Sequence, residues 1–156
     1  MDRTGFLGFS WGVDLACHLA ARHPSALTAL VLLDAGYSDP PLDPRLTYEQ
    51  RLSHYEAAAR DRPGEPTVSA AVVAAVEHGM AQAPPSRVRR QLARSRLPVL
   101  LVVAGNADEK DLRRFAAEVP QAEIIRAEKA GHDVLAEGGR KIVDVIGTWL
   151  QENDLR

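Results

Sequence analysis

The stretch Gly8-Phe9-Ser10-Trp11-Gly12 constrains this 156-residue chain more than any other. A short apolar segment, Phe6-Leu7, runs into it, and an amphipathic segment runs out. That context predicts a strand, a very tight turn and a helix. A strand that reverses so sharply leaves no room for side chains beside the apex, which is why glycines flank it. The apex residue, Ser10, is then held in a strained backbone conformation with its side chain pushed outward. The N–H groups that open the following helix point at the same place and favour negative charge there.

Downstream, residues 11–22 read as a helix, with Leu15 and Leu19 four apart, stopped by Pro24. The run Leu-Thr-Ala-Leu-Val-Leu-Leu at 27–33 suits a strand buried on both faces of a parallel sheet. Residues 37–96 have a different texture. Pro40, Pro41 and Pro44 open them, and helical patterns follow on Tyr48, Leu52, Tyr55 and Ala59, then on Val68, Val72, Val76 and Met80. Breaks at Pro63-Gly64-Glu65-Pro66 and Pro84-Pro85 separate these from a short basic helix with Val88 and Leu92. The whole of 37–96 reads as a helical insertion within one domain spanning 1–156. A second buried strand follows at 97–103, a helix at 111–119, a short strand at 122–126, and a last amphipathic helix with Ile142, Val145, Ile146, Trp149 and Leu150. The order implies an open parallel sheet of about four strands with flanking helices.

Bulk properties narrow the function classes. A net charge of −2 gives no footprint for nucleic acid or an anionic membrane surface. No apolar run approaches the length of a membrane span. The single cysteine, Cys17, rules out an intrachain disulfide, so a cytoplasmic location is expected. His18, His23, His54 and His78 show no metal-ligand spacing, and no metal is expected. Gly5, Gly8 and Gly12 do not make the G-x-G-x-x-G of a dinucleotide site.

Ser10, Asp108 and His132 each fall just past the C-terminal end of a predicted strand. In an open parallel sheet those ends share one edge, where ligands bind. The residue types fit acyl transfer. A serine hydroxyl needs an imidazole to take its proton, and the imidazole needs an acid to fix its tautomer. Asp34 also ends a strand. Asp108 is favoured as the acid, and Asp34 is read as a turn residue.

Gly8-Phe9-Ser10-Trp11-Gly12, the strand and loop from Leu97 to Asp108, and Ala130-Gly131-His132, in that order, resemble the C-terminal part of an α/β-hydrolase. The insertion at 37–96 resembles the family's cap. The resemblance implies a serine hydrolase without a cofactor, acting on a small ester-, thioester- or amide-like molecule. It implies Ser10 as nucleophile, His132 as general base, Asp108 as orienting acid and the Trp11 N–H as an oxyanion donor. The family's earlier strands, which supply a second donor, are expected to be absent, giving a truncated α/β-hydrolase fold. Self-association through the N-terminal edge strand is then expected. Phe9 and Trp11 are candidate pocket residues, although Trp11 would equally suit the core. Cys17 is expected in the core, and Arg87, Arg89, Arg90, Arg94 and Arg96 on a solvated helix face. The alternative is a catalytically silent fragment, serving as an interaction module or arising from a truncated reading frame.

Overall fold

The computed structural model describes residues 3–39, 42–61, 68–82 and 85–154. Pro40, Pro41, the break at Pro63-Gly64-Glu65-Pro66 and Pro84 lie outside them. Four strands, β1 (Thr4–Phe9), β2 (Leu27–Leu33), β3 (Val99–Ala104) and β4 (Ala122–Ala127), form one sheet in the order β1-β2-β3-β4. All three pairings are parallel. Helix α1 (Trp11–Arg22) joins β1 to β2, and α5 (Glu109–Glu118) joins β3 to β4. Between β2 and β3 come α2 (Tyr48–Arg60), α3 (Ala70–Gln82) and α4 (Pro85–Ser95); α6 (Val134–Asp154) closes the chain.

The two-face burial of β2 and β3 follows from strand alternation. Leu30, Leu32, Val99, Leu101 and Val103 face a core completed by Val13, Cys17, Leu92 and Phe115. Ala29, Val31, Leu33, Leu100 and Val102 face the opposite core with Val134, Ile146 and Trp149. Each fully buried leucine contributes roughly 1.5–3 kcal/mol, so the continuous apolar runs are the structural reason for the sheet. Helix α1 lies so close to β1 that a Cβ on Gly8 would stand 2.5 Å from the Gly12 carbonyl oxygen. No side chain other than hydrogen fits there.

The chain divides into two compact units, one from the described residues of Met1–Asp39 and Pro85–Arg156, the other from those of Pro40–Pro84. Expectation placed the insertion at 37–96. The second unit is narrower because α4 packs on α1 and α5 within the sheet unit, burying Val88 and Leu92 there. Within the second unit α2 packs on α3. Thr47 caps α2 with a reciprocal Thr47–Gln50 box, and the buried Arg51 binds Glu77 of α3 at 3.3 Å. Among the described residues no helix is long and apolar enough to cross a membrane.

Candidate active site

Ser10 stands between β1 and α1 with φ 52° and ψ −124°. A left-handed φ on a non-glycine residue is strained and persists only where its surroundings fix it. Here the Ser10 N–H donates to the Leu33 carbonyl of β2 (3.1 Å), and the Ser10 carbonyl accepts from Val13 N–H (2.9 Å). The side chain is left outside both β1 and α1. Its Oγ lies 3.0 Å from His132 Nε2.

His132 belongs to the loop between β4 and α6, and both its neighbours are tied down. The Gly131 N–H donates to Glu137 Oε2 (2.9 Å), and Asp133 Oδ1 accepts from Ala136 N–H (3.1 Å). The ring of Phe9 lies 5.0 Å from the imidazole, centre to centre. His132 Nδ1 is 2.8 Å from Asp34 Oδ2. An ionised carboxylate only accepts, so Nδ1 carries the proton and Nε2 presents its lone pair to the Ser10 hydroxyl. Asp34 is one residue beyond β2 and has φ 48°. Its side chain is 7% exposed. Its other oxygen, Oδ1, accepts from Ala104 N–H (2.8 Å), and its own N–H donates to the Val102 carbonyl (2.8 Å). Ser10, His132 and Asp34 therefore make one continuous hydrogen-bonded relay across the C-terminal ends of β1, β4 and β2.

No protein-family model and no curated protein matches this sequence. Solved structures do. An esterase from Thermogutta terrifontis is similar, with a TM-score of 0.73 at 22% identity, over 97% of this chain and 65% of that one. An alpha/beta hydrolase enzyme from a sediment metagenome of the Mar Chica lagoon gives 0.67 at 17% identity, over 98% and 63%. The chain has the α/β-hydrolase fold. MenH from S. aureus shares it, with a TM-score of 0.67 at 18% identity over 97% and 69%. This chain thus spans about two thirds of the length of those α/β-hydrolase-fold structures.

On this α/β-hydrolase fold the carboxylate beside His132 is Asp34, and the expectation for Asp108 is corrected. Asp108 is the N-cap of α5, and its Oδ1 accepts from the N–H groups of Lys110 (2.8 Å) and Asp111 (3.0 Å). The physical reason lies in strand order. Phe9 pairs with Leu33, so the residue after Leu33 stands beside the residue after Phe9. The stretch from Gly105 to Ala107 instead carries Asp108 on into α5. A signal was present in Leu33-Asp34-Ala35-Gly36: an aspartate directly at a strand end, of the type that tolerates a left-handed φ.

Trp11 is 46% exposed and lies outside both cores, and Phe9 is 40% exposed. Burial pushes the Cys17 thiol up to about 12, with the Asp14 carboxylate adding to the shift, so Cys17 is an inert core residue. Arg89, expected on a solvated face, is instead 1% exposed. A cavity of about 460 Å³ belongs to the helical unit and is lined by Leu42, Leu46, Arg51, His54, Tyr55 and Glu77 among others. Among the described residues no group of three or more His, Cys, Asp or Glu side chains could hold a metal ion.

Proposed function

We propose that this chain is a serine hydrolase acting on a small ester-, thioester- or amide-like substrate, with Ser10, His132 and Asp34 as its triad. The observation that carries the reading is the relay of 3.0 Å from Ser10 Oγ to His132 Nε2 and 2.8 Å from His132 Nδ1 to Asp34 Oδ2. Ser10 Oγ attacks the substrate carbonyl as its proton passes to His132 Nε2. Asp34 stabilises the imidazolium that results. The negative charge on the carbonyl oxygen is met by the Trp11 N–H at the open start of α1. His132 then returns the proton to the leaving group, and water, activated by the same imidazole, releases the acyl group. Phe9 and Trp11, both partly exposed beside the nucleophile, line its side of the substrate pocket.

The test is Ser10→Ala. Labelling by an active-site-directed phosphonate and turnover of a generic aryl ester should both disappear while the circular dichroism spectrum stays unchanged. Labelling equal to that of the unaltered chain would sink the proposal.

A second reading, a silent interaction module, is favoured by the exposed apolar side chains of Leu7, Phe9, Trp11 and Leu15 on adjoining β1 and α1. Absence of phosphonate labelling in the folded, unaltered chain is its expected result.

A further inference from the structure

Arg89 lies in α4, away from the relay, yet it is among the most buried side chains of the sheet unit. Its guanidinium makes three contacts in three directions. Nε donates to Glu118 Oε2 of α5 (2.6 Å). Nη1 donates to the Gly36 carbonyl (2.9 Å), and Nη2 donates to Asp39 Oδ1 (3.2 Å). Asp39 Oδ1 also accepts from Ser86 N–H near the start of α4 (2.9 Å), and Asp39 Oδ2 is 3.8 Å from Arg114. Gly36 itself has φ +77°, and a Cβ there would stand 2.6 Å from Val13 Cγ1 of α1. The segment from Asp34 to Asp39 is therefore fixed on one side by β3, through Val102 and Ala104. On the other side it is fixed by Arg89.

Resting on the triad reading above, we propose that Arg89 is a positioning residue, whose planar fork holds the 34–39 segment so that Asp34 keeps the strained conformation that meets His132. Aspartate tolerates a left-handed backbone better than most residues, yet the conformation is still strained and is kept by the structure around it. The bonds to β3 fix Asp34 itself. The Gly36 carbonyl, two residues on, is held by the Arg89 guanidinium. A guanidinium supplies donors in a rigid fork to all three acceptors at once, which a lysine ammonium on a flexible stem does not reproduce. Small misplacements transmitted to reacting groups in this way lower turnover by up to about a hundredfold.

The readout is the low-field proton on His132 Nδ1, seen by NMR in the full chain. It depends on the Asp34 contact and not on turnover. In the unaltered chain the proton should be sharp, and in Arg89→Met it should broaden or vanish. Leu92→Ala, which opens a cavity on the same helix and leaves the Arg89 bond to the Gly36 carbonyl in place, should lower the melting temperature and leave the proton in place. If Arg89→Met fails to fold, Arg89→Lys carries the test, since it retains the buried charge against Glu118 and Asp39. It should broaden the proton and, in an active protein, lower kcat with KM unchanged. A proton as sharp in the folded arginine variant as in the unaltered chain overturns the proposal, and so does its equal loss in Leu92→Ala. A proton missing from the unaltered chain would instead count against the triad reading.

Discussion

At the scale of single residues, two aspartates compete for one role, and their hydrogen bonds separate them. Asp34 gives one carboxylate oxygen to His132 and the other to a sheet N–H. Asp108 gives its carboxylate to the first turn of α5. Asp34→Asn should therefore lower turnover by about four orders of magnitude, because an amide fixes the wrong imidazole tautomer. Asp108→Ala should leave turnover nearly unchanged and cost about 1 kcal/mol of stability, the usual loss of a helix cap. Steady-state assays with a denaturant titration of both variants check this pair, and the reverse pattern would restore Asp108. The sequence made Ser10 and His132 legible as candidates, since a G-x-S-x-G turn and a strand-end histidine stand out locally. The choice of acid was not legible. It depends on which strands are neighbours and on a backbone angle at Asp34 that reads in sequence as an ordinary turn.

At the scale of elements, the strands and helices follow from periodicity. The run at 27–33 and the run at 97–103 became β2 and β3 because residues apolar on both faces have nowhere else to go. The side on which a basic helix packs is harder to read. In α4, Val88, Arg89 and Leu92 are buried together, and Arg89 is tolerated because three acceptors from other segments meet it. On α1, burial pushes the Asp14 carboxyl up to about 6 from 3.8, against the opposing pull of Arg89. The unfolded chain sheds this proton near pH 4 and the folded one only near pH 6. Stability therefore falls as pH rises through that window and stays reduced above it, by at most about 3 kcal/mol and less with solvent screening. Asp14→Asn should raise the urea midpoint at about pH 8 and leave it unchanged near pH 4. A difference that does not vary with pH would show that Asp14 carries no such penalty.

At the scale of the whole molecule, β1 hydrogen-bonds along one side to β2 and, among the described residues, to no other strand. Leu7 and Phe9 lie on this edge strand, and Leu15 on the neighbouring helix is 65% exposed. An unpaired edge beside apolar side chains is a template for another strand. The isolated chain should therefore self-associate, with light scattering giving a mass above 17.0 kDa. Leu7→Lys should shift it toward the monomer, since a charged edge discourages pairing. A monodisperse monomer from the unaltered chain would end this proposal.

The sheet follows the chain in strict sequence order, and this divides its history into local and distant events. The β1–β2 and β3–β4 pairings each span a short helical connection, so each closes a small loop. Only the β2–β3 pairing must draw together the ends of the long connection from Leu33 to Val99, at a loop entropy that grows slowly with length. Ser10 and Asp34 belong to the first half and His132 to the second. Neither half holds the hydrogen-bonded relay alone, so the relay sits at a seam, and any break in the long connection leaves two pieces that must find each other before the histidine can meet its serine.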